Sequence, residues 1–160
     1  MFLESPSTDD IEELTEMWVT LADDQQVYGS HLRAESNREA IQESIGRHVV
    51  GDRLRVARED GRLLGFVMFT VESKAYERTV TRGLIENIYV VADRRREGIG
   101  TRLLRAAESA LADEGVDVIA LDVMADNEGA RGFYRHHGYA PHRVTVEQSI
   151  ENDTSSRDDE

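Results

Sequence analysis

The chain has 160 residues, enough to close one hydrophobic core unaided, and no cysteine, which excludes disulfides, a thiolate nucleophile and cysteine-based metal ligation. Its 32 acidic residues outnumber the 19 basic ones for a net charge of -13, a balance that argues against DNA or RNA as a partner. No apolar run approaches the ~20 residues of a membrane span, and Met1-Phe2-Leu3-Glu4-Ser5 lacks the basic start of a signal peptide, so a cytoplasmic protein without membrane partners is expected.

Phe2-Leu3-Glu4 reads as a short opening edge strand. Ser7-Thr8-Asp9-Asp10 reads as a helix start, a hydroxyl cap followed by carboxylates, and Ile11, Leu14, Met17, Trp18 and Leu21 continue at helical spacing. Asp23 to His31 breaks that period and reads as a loop. Ser36 with Glu39 is a capping-box signature, opening a second helix whose Ile41, Ile45 and Val49 face the core. Leu54 to Ala57 and Leu63 to Val71 flank Asp60-Gly61, a hairpin signal.

A β-branched strand at 84–91 follows, then Arg94-Arg95-Arg96-Glu97-Gly98-Ile99-Gly100-Thr101 and a helix carrying Leu103, Leu104, Ala107 and Leu111, which ends near Gly115. Val116 to Met124 reads as a buried strand, Asn127 to His137 as a short helix stopped by Gly138, and Arg143 to Glu147 as a last strand. The expected architecture is one domain over 1–150, a mixed α/β sheet of α+β type, followed by an acidic, disordered tail at 151–160.

The order strand, basic turn, Gly-x-Gly, helix builds an anion site. Glycines let backbone approach a ligand, and amides point at it from the positive end of a helix dipole. The dinucleotide fingerprint fits worse, because it needs a small residue where Leu103 stands, and a Walker loop needs Gly-Lys, whereas Lys74 is the chain's only lysine. No histidine spacing matches a metal site, so no metal is expected.

These residues resemble the GNAT superfamily of acetyl-CoA-dependent N-acetyltransferases over roughly residues 1–148. The family's Arg/Gln-x-x-Gly-x-Gly/Ala signature stands here as Arg95-Arg96-Glu97-Gly98-Ile99-Gly100, after a strand ending Ile88-Tyr89-Val90. A second signature runs from Asn127 through Ala130 and Tyr134 to Gly138-Tyr139, with Tyr139 in place of the commoner Phe. The resemblance implies a GNAT fold: a mostly antiparallel central sheet with one splayed parallel pair and flanking helices. It also implies acetyl-CoA as co-substrate, with its pyrophosphate held by Arg95, Arg96, Glu97, Gly98, Ile99, Gly100 and Thr101. The pantetheine arm would bond backbone along Ile88, Tyr89 and Val90, beside a bulge expected near Tyr89, and Asn127 would either touch the CoA arm or simply cap its helix.

Strand parity places Glu86 on one face with Leu84 and Ile88, and a carboxylate in an apolar strand is costly unless paired or functional. By resemblance Glu86 either takes the proton from the acceptor amine or binds that amine. Tyr134 is either core packing or, by resemblance, the acid that protonates the CoA thiolate. Tyr28 and His31 would border the acceptor pocket, and the acceptor is a small-molecule or peptide amine. The strand at 143–147 is available for a homodimer.

Two readings compete with an N-acetyltransferase working by direct attack in a ternary complex. One is a non-catalytic acyl-CoA-binding or sensing domain; the other is a partner-binding module whose arginines contact an acidic protein. The acid-rich, lysine-poor composition is halophile-like, resembling that of proteins from high-salt cytoplasms, with an acidic mesophilic protein from an arginine-favouring genome as the alternative.

Overall fold

A computed structural model describes residues 1–73 and 76–150; Lys74 and the expected tail at 151–160 lie outside the described residues. The chain divides into two compact units, Met1–Asn127 and a second from Glu128.

The first unit holds a five-stranded sheet in the order β1-β2-β3-β4-β5: β1 (Phe2–Glu4), β2 (Leu54–Glu59), β3 (Arg62–Val71), β4 (Arg82–Val90) and β5 (Val118–Leu121). Neighbours are antiparallel except β4 and β5, which run parallel, so the mixed sheet expected from the sequence is present. The hairpin β2–β3 turns at Asp60 and Gly61, both at positive φ (50° and 79°), the geometry that an Asp-Gly pair accommodates.

Ser7 caps the first helical segment as expected. Its hydroxyl accepts from the Asp9 amide, and its own amide donates to Asp10. A 3₁₀ turn leads into α1 (Ile11–Gln26), which is longer than the sequence reading because Asp23 to Gln26 continue the helix instead of opening the loop. Ala22, the next residue on the stripe of Leu14 and Trp18, is buried and holds that extra turn to the core. The second helix, α2 (Arg38–Val50), begins without the expected Ser36/Glu39 box: Asn37 is the cap residue, and its side chain donates to the Arg33 carbonyl instead.

Leu14, Met17, Trp18 and Ile45 of α1 and α2 pack with Leu54, Val56, Phe66, Met68 and Tyr89 on one face of the sheet. The other face is covered by α3 (Ile99–Asp113), whose Leu103 and Leu111 sit against Gly65 and Gly83. A Cβ at Gly65 would come within 2.3 Å of the Tyr89 carbonyl oxygen, so β3 and β4 pack closely only because residue 65 has no side chain.

Two expectations for the second half of the chain are corrected. The run 116–124 yields a strand of only four residues at the sheet edge, exposed at Val118 and half-buried over the other three, instead of a buried one. Residues 143–147 form no strand: Val144 and Val146 are over 80% exposed (81% and 87%), and alternation without a partner edge leaves the segment irregular. The second unit contains α4 (Glu128–His136). No helix among the described residues is long and apolar enough to cross a membrane.

Candidate active site

The turn after β4 is shaped by its backbone. Arg96 adopts φ 65° and Gly98 φ 82°, two left-handed residues that pass the chain directly into α3. A Cβ at Gly98 would meet no heavy atom within 4 Å, so the glycine serves its own φ and leaves the space above the turn open. The first helical bond runs from the Arg102 amide to the Gly98 carbonyl at 3.1 Å, and the amides of Ile99 and Gly100 therefore have no acceptor within the helix. No acid lies in the first turn of this 15-residue helix, so nothing opposes the positive end of its dipole.

Side chains around the turn cancel its own acids. Arg94 donates to Glu59 at 2.5 Å and to Glu97 at 3.0 Å, and Arg62 grips Asp93 at 2.8 and 2.9 Å. The guanidinium of Arg94 holds Glu59 below the usual carboxylate range, and Arg62 does the same for Asp93. Arg95 donates from Nε to the Val90 carbonyl at 2.9 Å, lies 5.7 Å from the centre of the Tyr89 ring, and approaches Asp24 at 3.8 Å. Arg96 is exposed and makes no ion pair among the described residues. With Glu97 and Asp93 neutralised, Arg96 and the helix end leave the turn positive in an otherwise acidic chain.

Upstream of the turn, β4 has two different flanks. Among the described residues, β4 pairs with β5 at Arg82 to Ile85, opposite Val118 to Leu121, and residues 86–90 have no strand beside them on that flank. On the β3 side the register slips: Met68 faces Asn87 while Phe69 faces Ile85, so Glu86 is an extra, unpaired residue. The irregularity thus sits at Glu86, not near Tyr89 as the resemblance implied. It also corrects the parity reading. Ile88 pairs with Val67, which shares the α3 face with Gly65, whereas Glu86 points to the α2 face and so does not share a side with Ile88.

On that face Glu86 meets a residue the sequence reading passed over. His48, in the last turn of α2, places Nε2 2.7 Å from Glu86 Oε1 and Nδ1 2.7 Å from the Ser44 carbonyl oxygen. The hydrogen bond to Glu86 raises the imidazole pKa above its ordinary value, against the opposing effects of burial and the neighbouring Arg47 charge. The His48 side chain is 13% exposed and that of Glu86 33%, so the pair reaches solvent through the carboxylate. A signal existed: His48 lies three residues after the buried Ile45, a polar residue on an apolar stripe.

Tyr28 is half-buried and His31 exposed in the turn following α1, where Gly29 takes φ 95°. Asn127 closes the first unit; it is buried, and its amide donates to the Met124 carbonyl at 2.9 Å. In the second unit α4 ends in a Schellman motif: the Gly138 amide bonds Arg135 O and the Tyr139 amide bonds Tyr134 O, with Gly138 at φ 92°. The Tyr134 and Tyr139 rings meet edge to face at 5.9 Å, which accounts for an aromatic residue directly after the glycine. Burial pushes the Tyr134 phenol up to about 12.

The sequence matches the acetyltransferase (GNAT) family over residues 12–139. It is 30% identical over 88 residues to N-alpha-acetyltransferase 30 of Schizosaccharomyces pombe, covering 55% of this chain and 57% of that one, so it spans little more than half the length of that relative. In fold it is similar to a mutant of the BH1408 protein of Bacillus halodurans (TM-score 0.80, 20% identity, 94% and 100% of the two chains covered). It is also similar to the PaiA N-acetyltransferase of Thermoplasma acidophilum, solved in complex with coenzyme A (TM-score 0.70, 18% identity, 90% and 92% covered). With its mixed five-stranded sheet and a family match across most of its length, the chain belongs to the acetyltransferase (GNAT) family.

Proposed function

We propose that this protein transfers the acetyl group of acetyl-CoA to a primary amine by direct attack within a ternary complex. One observation carries the reading: the open flank of β4 at 86–90 runs straight into a positive turn with left-handed Arg96 and Gly98, so one continuous surface offers strand backbone and then helix amides. That sequence of groups suits an amide-containing arm ending in a pyrophosphate. The CoA complex of the Thermoplasma relative supports the same assignment.

In this proposal Arg95, Arg96, Glu97, Gly98, Ile99, Gly100 and Thr101 hold the pyrophosphate, mostly through backbone, and Ile88, Tyr89 and Val90 hold the arm, with Asn127 as a further contact. When bound, acetyl-CoA supplies an activated acetyl group. Glu86 receives the acceptor amine at the open end of that surface, with Tyr28 and His31 as lining residues. Tyr134 protonates the departing thiolate, and a phenol pushed up to about 12 keeps its proton at any physiological pH. The acceptor is a small-molecule or peptide amine; because the Schizosaccharomyces relative is named an N-alpha-acetyltransferase, α-amines are tested first.

Two measurements test the reading. Acetyl-CoA and desulfo-CoA should each raise the melting temperature in low and high salt, and no rise in folded protein overturns it. CoA release should then be detectable with at least one amine among peptides, polyamines and aminoglycosides. Stabilisation without release from any of them would make the protein a CoA-binding domain instead.

A further inference from the structure

The two ring nitrogens of His48 both face acceptors. Nδ1 is 2.7 Å from a backbone carbonyl oxygen, which can only accept, so that nitrogen carries a hydrogen. Nε2 is 2.7 Å from a carboxylate oxygen of Glu86. A neutral imidazole has one N–H, already committed to Ser44, so the contact with Glu86 needs one proton more. The pair therefore exists in two states. With the proton it is bridged between Nε2 and Oε1; without it, an imidazole lone pair faces a carboxylate and the two repel. Protonation is favoured by geometry that α2 and β4 hold in place: the Ser44 carbonyl fixes the tautomer, and β4 presents the Glu86 carboxylate to His48 on the α2 face.

We propose that His48 and Glu86 act as one base, with His48 the positioning residue through which Glu86 takes and stores the proton of the acceptor amine. This rests on the acetyl-transfer reading above. The ammonium of the acceptor loses one proton to the unprotonated pair, which holds it between Oε1 and Nε2. The freed nitrogen lone pair forms the N–C bond as the C–S bond breaks. The thiolate takes its proton from Tyr134, the second proton of the acylated nitrogen restores the Tyr134 phenol, and the pair returns its own proton to solvent. The coupled unit titrates above ordinary histidine, a direction set by Glu86 of β4. Arg47, next to His48 on α2, opposes it, and Glu16 of α1 takes no part because it is engaged with Arg38. An acetyltransferase working through this pair is therefore slow at low pH and gains activity as the shared proton leaves.

The pH dependence of kcat/KM for CoA release, with an amine that turns over, provides the test. In the wild type it should rise about tenfold per unit below the apparent pKa of the pair and then level. In His48→Gln, which keeps a donor to Glu86 but cannot titrate, that limb should vanish and the plateau fall about tenfold or more. An unchanged limb in a folded His48→Gln protein overturns the pairing while leaving the acetyltransferase reading intact; no turnover with any amine overturns both. Should His48→Gln not fold, nitrogen NMR of His48 decides. The imidazole should titrate at lower pH in Glu86→Gln than in the wild type, and identical titrations in the two overturn the proposal.

Discussion

The turn at 94–101 and the His48–Glu86 pair sit at opposite ends of the same stretch of β4, and they store their chemistry in different ways. The turn works through backbone: two left-handed residues, a helix end, and arginines that mostly neutralise neighbouring acids. The pair works through two side chains 38 positions apart, joined by a 2.7 Å contact. A backbone site is intolerant of a changed conformation and indifferent to most side chains. A side-chain site has the reverse sensitivity.

The largest expected effect tests the backbone half. Gly98→Val places a β-branched residue at φ 82°, costing roughly 1–2 kcal/mol in strain and filling the open space over the turn, so stabilisation by acetyl-CoA should disappear in thermal-shift measurements. Persistence of the shift would show that side chains, not backbone, hold the ligand. Next comes Tyr134→Phe, expected to lower kcat about tenfold to hundredfold with little change in the binding of acetyl-CoA. Because the phenol is pushed up to about 12, the wild type should show no falling alkaline limb from this group below about pH 11. A variant as fast as the wild type removes Tyr134 from the chemistry.

A smaller effect separates charge from shape in the turn. Arg94→Gln frees Glu59 and Glu97 beside the proposed pyrophosphate turn and should weaken acetyl-CoA binding severalfold in low salt, less in high salt. Salt-independent weakening would indicate that Arg94 holds the loop's shape instead. Last is a stability difference. Since folding raises the His48 pKa, the pair stabilises the fold fully below the unfolded imidazole value of ~6.5 and loses that contribution as pH climbs through the folded value. Denaturant unfolding of wild type against His48→Gln should differ by about 1 kcal/mol near pH 5.5 and by less near pH 8.5.

The same division explains what the sequence made legible. Gly98 and Gly100 between arginines, placed after a β-branched run, announce a backbone device because local residue types dictate local φ and ψ. The hairpin at Asp60-Gly61 and the helix carrying Leu103 to Leu111 are legible for the same reason. His48 and Glu86 are joined only by tertiary packing, and an extra residue in β4 reversed the parity that strand alternation predicts for Ile88. The segment 143–147 failed differently: it alternates like a strand, but a strand requires a neighbouring edge, and alternation carries no information about whether one exists.

The unpaired flank of β4 has a cost for the protein in the absence of ligand. Five residues of strand edge without a β5 partner are a template on which another chain can add itself, the usual beginning of unwanted association. Three features already described blunt it: the slip at Glu86 breaks the edge's regularity, the Arg95 guanidinium occupies the Val90 carbonyl, and the net charge of -13 keeps copies apart. Arg95 is thus a guard of that edge as much as a neighbour of the anion turn, and concentrated salt, by screening the charge, leaves the guarding to the bulge and to this one arginine.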